Sequence, residues 1–529
     1  MSKPMRWLSL SLAGALLLVG LVTVGAQAET VFTYGTSQET MLFDPGKHVD
    51  ETQSINIFNT YDPLVRPVRI GAQLVLRPWL AESWSASPDA RIWTFKLRRG
   101  VKFHDGTELT AEDVAFSMDR MTRIGLGYAS LWRGLLGPGD TVAPDRYTVV
   151  FNLKKPFAIF IPTLVQFFVV NKDLCLANEQ AGDLCQGYLV SRDAGSGPFQ
   201  VENVEIGREI IFRRFDGYFM GPALIDKVVW KVIPERATQV AALKAGAVDM
   251  VDQWLSPEVY ADLERTSGIV VQRDPQLQLY LHQMNNKKPP FDDVHCRRAV
   301  LLAFDYETAI NDIFRGGAQA VGPVPVLAPG WNPALQPYKR DLEAARAELA
   351  QCKHSAQALR NMELTYLWVS GVTLEERLGL LMRDNLKDLG MKVKLEAMLW
   401  AQLQETTKSP EAARHFTAIF HTLKIPHPDS HTYLMFHPGT RGAGGNYINV
   451  NYFEKPAASE LLDRARVTVD PTEQLQLYGK AQEIVNKDAA SLFIANPEHR
   501  IAFRDRVKGY TFNGILGYDL FFWKLRIGG

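Results

Sequence analysis

Four histidines, His421, His427, His431 and His437, stand in the single stretch HTLKIPHPDSHTYLMFH. Neutral imidazoles ligate nickel, zinc and copper, so holding a metal or a metal chelate is the chemistry this stretch could do. Pro426 and Pro428 break any regular helix there, which removes the i, i+4 spacing that aims two rings at one ion. The favoured reading is a loop whose histidines point to several faces; no metal ligand is assigned, and chelate binding stays as an alternative. Adjacent carboxylates are the second candidate. Glu375-Glu376 and Asp292-Asp293 could do acid/base work, but such pairs at helix starts ordinarily serve the dipole and the solvent. The chain has no G-x-S-x-G elbow, no H-E-x-x-H helix and no Walker-type phosphate loop. An enzyme is therefore not expected, and no cofactor is assigned.

The elements that must position any site alternate between strand and helix without a repeat. Thr94–Leu97, Tyr147–Leu153 and Lys227–Ile233 are β-rich. Leu374, Leu378, Leu381, Met382, Leu386 and Leu389 recur at helical spacing, Gly390 stops that helix, and 391–397 alternates as a strand. Asp470, Pro471 and Glu473 are the N-cap, first-turn proline and capping-box acid of a helix running to about Asp488. Mixed elements throughout favour an α/β architecture over a bundle or sandwich.

At 529 residues the chain is long enough for two or three folded units, and 46% hydrophobic against 22% charged residues is globular composition. Equal totals of 58 basic and 58 acidic residues give no field that would draw it to nucleic acid or an anionic membrane. Lys3 and Arg6, the apolar run Trp7–Val24 and the triad Ala26-Gln27-Ala28 read as a secretory signal peptide, residues 1–28. No cysteine lies near the cut to take a lipid anchor, so the expected compartment is the periplasm. In that oxidising setting Cys175 and Cys185, ten residues apart in a polar segment, are expected to form a local disulfide. The pairing of Cys296 and Cys352 stays open.

The segment 79–121, WLAESWSASPDARIWTFKLRRGVKFHDGTELTAEDVAFSMDRM, resembles the signature block of the family 5 extracytoplasmic solute-binding proteins. These are the dipeptide-, oligopeptide- and nickel-binding components of ABC importers. GSGPF at Gly195–Phe199, the block 226–252, PPFDDVHCRRAVLLAFDYETAI at 289–310 and YGKAQEIVNKDAASLFIA at 478–495 follow in family order. The resemblance implies the two-lobed periplasmic binding protein fold, cluster C type, whose lobes close about a hinge. Lobe one would be 29–280 plus 498–529, with an extra subdomain at about 67–187, and lobe two 281–497.

The same resemblance implies a monomer that captures a peptide or peptide-like solute and delivers it to permease subunits. A non-peptide organic solute such as an oligosaccharide or opine-like conjugate, or a metal chelate, is the alternative. It places the ligand against Val49, Asp50, Glu51 and Thr52 of an N-terminal loop. The facing positions are Trp400, Phe420, His421, Thr422, Lys424 and Asp429. Dipeptide-binding members carry an amine-holding aspartate five residues before the Asp of the P-D pair, where this chain has Lys424. Their carboxylate-holding arginine falls in the stretch that here reads Trp368-Val369-Ser370-Gly371. Both dipeptide anchors therefore look absent, and Lys424 in the pocket would repel a free amino group.

Overall fold

The computed structural model describes residue 1 and residues 29–38, 43–71, 73–274, 277–441 and 449–528. The expected signal peptide, residues 1–28, lies outside the described residues apart from Met1. Two large sheets organise the chain. The first has seven strands in the spatial order 269–274, 499–504, 250–251, 31–36, 227–232, 209–214 and 199–205. Val31–Thr36 pairs in parallel with Lys227–Val232 through six residues, and Ile269–Asp274 runs antiparallel to His499–Arg504. Alternation of apolar residues on these strands buries Phe32, Val228 and Trp230 completely, and Trp230 meets Tyr34 edge-on at 4.7 Å.

The second sheet has six strands, in the order 318–319, 491–496, 278–284, 416–422, 363–369 and 392–398. Two adjacent inner strands, Gln278–Met284 and Ser491–Asn496, are buried at every position, as a sheet covered on both faces requires. The chain passes from the first sheet to the second between Asp274 and Gln278, and returns between Asn496 and His499. A separate four-stranded sheet, ordered 81–86, 92–97, 148–152 and 141–145, shares a core with the Glu51–Thr60 helix, and with the first sheet they make up the first body.

Local rules hold where the sequence was explicit. The helix expected from Leu374 onward is Thr373–Lys387, followed by the strand Lys392–Met398, which runs parallel to Glu363–Val369. Asp470 caps Pro471–Lys487, its carboxylate accepting the Glu473 N–H at 2.7 Å. The two glycines of GSGPF have a steric reason. A Cβ on Gly195 would stand 1.8 Å from the Thr60 carbonyl oxygen, and one on Gly197 would stand 2.5 Å from the Thr60 carbonyl carbon. Only glycine lets this loop close on the end of the Glu51–Thr60 helix, whose first turn faces the cleft.

The cysteines pair differently from expectation. Cys296, on the helix Val294–Ala303, and Cys352, capping Leu342–Gln351, form a disulfide that spans 56 residues. The expected Cys175–Cys185 bridge is absent: both are free, buried thiols that lie beside each other. Cys175 is held on a short helix, Lys172–Asn178, and Cys185 on a turn at φ 66°, which brings the sulfurs together as thiols. Among the described residues no helix is long and apolar enough to cross a membrane.

Candidate functional site

Two adjoining cavities, of about 140 Å³ and about 80 Å³, lie between the sheets. Arg236, Trp254, Val372 and Phe420 line both, so they form one cleft with an aromatic waist. The waist is a contact across the cleft, with Trp254 edge-on to Phe420 at 5.2 Å and Phe420 at 4.9 Å from Tyr280. In the larger cavity the first body supplies Gln38, Asp50, Glu51, Arg236 and Trp254, and the second supplies Val369, Glu375, Trp400 and Phe420. In the smaller one Tyr260 and Arg500 face Gln278, Tyr280 and Phe314. Aromatic walls with a few polar groups suit a solute with both an apolar body and charged ends.

The N-terminal half of the site stands on one helix end. Asp50 caps Glu51–Thr60 by accepting the Gln53 N–H at 2.9 Å, while the Gln53 side chain accepts the Val49 N–H at 3.0 Å. This reciprocal cap aims Asp50 and Glu51 into the cavity. Thr52 is buried and donates to the Gln38 side chain at 2.9 Å, so it supports the wall and does not line it. Glu51 accepts a hydrogen bond from the Gln253 amide at 2.5 Å. Burial, with Asp519, Asp252 and Asp50 nearby, pushes its carboxyl up to about 8.

Glu375, placed at a helix start by its sequence, is not a solvated dipole partner. It is 4% exposed and lines the larger cavity. One oxygen accepts the Val369 N–H at 2.9 Å, and burial pushes this carboxyl up to about 8 as well. Arg236, by contrast, is matched: its guanidinium meets Asp252 at 2.5 Å, and Asp252 also accepts the Ser37 N–H and hydroxyl.

Lys424 is buried in the contact between the two bodies, outside the cavity lining. Its Nζ reaches the Val49 carbonyl at 3.4 Å and lies 5.3 Å from the Tyr128 ring centre. Burial pulls its ammonium down to about 8, against the opposing pull of Asp50. The other residues expected opposite the N-terminal loop divide in the same way. Trp400 and Phe420 line the cavity. His421, Thr422 and Asp429 are buried behind it: His421 meets the Ser430 carbonyl, Thr422 accepts from Gln278, and Asp429 accepts from Tyr478 at 2.7 Å.

The histidines do not converge. His421 and His431 meet edge-on at 4.4 Å, but His427 bonds Gln474 and His437 stacks on Tyr433. Among the described residues the one grouping of metal-ligand type is Asp293, Cys296 and Cys352, whose sulfurs are joined to each other. The chelate reading loses its basis in this stretch. Sequence reasoning missed Gln38, Arg236, Trp254, Tyr260 and Tyr280, and it set Glu375 aside as a carboxylate serving the helix dipole. Arg236 and Trp254 lie inside or just beyond the block 226–252, so that block carries pocket residues as well as scaffold.

Closure is reinforced at the rim. Glu258, on the helix Pro257–Leu263 of the first body, meets Arg377 at 2.8 Å and Arg315 at 3.0 Å, both from the second. Its carboxyl is held down to about 2, the hydrogen bond from Arg377 outweighing partial burial.

A family profile described as "Bacterial extracellular solute-binding proteins, family 5 Middle" matches residues 75–445. A probable D,D-dipeptide-binding periplasmic protein of Escherichia coli K12 is 28% identical over 502 residues, covering 94% of each chain. The periplasmic binding protein DppA of Helicobacter pylori, solved with the peptide STSA, superposes with a TM-score of 0.83 at 26% identity, covering 94% of this chain and 98% of its own. The binding protein AgaA of A. tumefaciens, solved with agropinic acid, gives a TM-score of 0.79 at 25% identity over 94% of this chain and 99% of its own. The fold is the two-lobed periplasmic binding protein fold.

Proposed function

We propose, since this chain belongs to the family 5 bacterial extracellular solute-binding proteins, that it captures a peptide or peptide-like solute between its lobes and delivers it to the permease of an ABC importer. The observation that carries this reading is the cleft walled from both sides, by Glu51, Arg236 and Trp254 on one and by Glu375, Trp400 and Phe420 on the other. A ligand touching both walls favours the closed form, and differential binding of that kind needs no reaction. Lobe one comprises 29–280 and 498–529, lobe two 281–497, and the hinge is the pair of strand crossings near Gln278 and Asn496. The mature protein works as a monomer in the periplasm, without a lipid anchor, after residues 1–28 are removed.

The dipeptide-binding relative and the peptide complex support a peptidic ligand. The agropinic acid complex supports an opine-like conjugate as the second reading. A thermal-shift screen of the mature protein against di- to pentapeptides and opine-type conjugates tests both. At one hundred times its Kd a ligand adds about 2.7 kcal/mol, and a screen in which neither class raises Tm contradicts the proposal.

A further inference from the structure

Among the described residues, every charge on the cleft wall has a partner except two. Arg236 is matched by Asp252 at 2.5 Å, and Asp50 faces Lys424 across the contact between the lobes. Among the described residues Glu51 and Glu375 meet no cation. Glu51 is held only by a neutral amide, that of Gln253. Glu375, 96% buried by its 4% exposure, spends one oxygen on the Val369 N–H, and among the described residues its other oxygen has no hydrogen-bond partner. Glu375 lines the larger cavity, and this oxygen is the one left to meet a ligand there. An unpartnered carboxyl taken out of water costs free energy unless a ligand completes it. The two acids come from opposite lobes, Glu51 from the first turn of Glu51–Thr60 and Glu375 from the first turn of Thr373–Lys387.

We propose that Glu51 and Glu375 together receive a cationic group of the solute, an ammonium or guanidinium, which ties one lobe to the other. This deepens the solute-capture reading and rests on it. It also settles the question raised by Lys424. That residue is engaged with Val49 and Tyr128, so it does not repel a bound amine, and the acid comes from a different place in the cleft. The ionisable groups facing Glu51 are Asp50, Asp252, Asp519, Tyr34 and Tyr510, and those facing Glu375 are Tyr280 and Tyr366. All of these are acids, and Arg236, the cation on the same wall, is spent on Asp252. With both carboxyls raised to about 8, the empty cleft holds them protonated at neutral pH. A bound cation favours their ionised forms, so binding releases protons and tightens as pH rises toward 8.

The experiment is calorimetric titration of the mature protein at pH 7 in two buffers of different ionisation enthalpy. Four probes are used: alanyl-alanine, its N-acetyl derivative, putrescine and agmatine. The expected result is that at least one free-amine or guanidine probe binds with net proton release. N-acetylation should weaken dipeptide binding on the order of 10–100-fold, the range for a charge-assisted hydrogen bond. Glu51→Gln and Glu375→Gln should each weaken the cationic probe to a similar degree and reduce proton release. Both variants mimic the protonated side chain and should keep the parent Tm. Because proton release is read on the unmodified protein, the test stands even if a variant misfolds. Dipeptide binding that ignores N-acetylation and releases no proton overturns the inference and leaves the peptide reading standing. Binding of putrescine or agmatine with proton release while both dipeptides stay silent supports the inference and removes the peptide reading. No binding by any of the four overturns it.

Discussion

Removing the Cys296–Cys352 disulfide should cost the second lobe a large part of its stability. The bridge closes a loop of 56 residues. In the chain-entropy treatment, cross-linking a loop of that length removes about 14 cal/mol/K from the unfolded ensemble, or about 4 kcal/mol at 25 °C. The bond pins Val294–Ala303, which packs on the strand Ser491–Asn496 of the second sheet, to the end of its neighbouring helix Leu342–Gln351. At roughly 2–4 °C per kcal/mol for a unit of about 200 residues, the double variant Cys296→Ala/Cys352→Ala should melt about 8–16 °C lower, with residual denatured-state structure trimming that figure. Differential scanning calorimetry with and without a reductant reads it. The first-lobe transition should stay in place while the second-lobe transition moves. A shift below about 2 °C, or an equal shift of both transitions, would refute the reasoning that the bridge acts by restraining this loop.

Other consequences are as specific. Denatured, non-reduced protein should present two titratable thiols, those of Cys175 and Cys185; finding none would show that the pair oxidises. Glu258→Gln removes both rim ion pairs, and since such pairs are worth about 0.2–1 kcal/mol each when exposed, ligand affinity should fall by about 2- to 30-fold, mainly through dissociation rate. The Glu258 contribution is fully present above the free-glutamate range and is lost as pH falls through about 2. His431, whose ring nitrogens have no hydrogen-bond partner among the described residues, is held down to about 3 by burial. It is therefore neutral when folded but binds a proton below pH 6.5 when unfolded, so stability drops as pH falls from about 6.5 toward 3. His431→Phe should flatten that acid slope by about 1.4 kcal/mol per pH unit, measured by urea unfolding at pH 6 and pH 5. An unchanged slope would mean that the ring is solvated.

Much of the scaffold was legible from local rules. The Asp470 cap, the leucine-spaced helix and the alternating strand after Gly390 depend on neighbours in sequence, and each formed where its pattern placed it. Asp50, Glu51, Trp400 and Phe420 were named and do line the cavity. What could not be read depends on burial. Glu375 and Glu376 are identical in local sequence, yet the helix turns one of them into the cleft, and only packing decides which. Lys424 was expected opposite the N-terminal loop, where it would face the pocket. It does not, because Val49 and Tyr128 close over it from the other lobe. The cysteines teach the same lesson: short spacing suggested Cys175–Cys185, while helix packing brought together residues 56 apart.

The most direct test of the central claim is a titration of intrinsic tryptophan fluorescence with peptides, because Trp254 and Trp400 line the cavity itself. The account predicts a saturable signal of one peptide per chain, carried by these two residues, with Phe420→Ala weakening binding by about tenfold or more through loss of its contacts with Trp254 and Tyr280. Peptide binding that Phe420→Ala leaves unchanged, or a signal that survives Trp254→Phe/Trp400→Phe undiminished, would contradict a ligand held in this cleft.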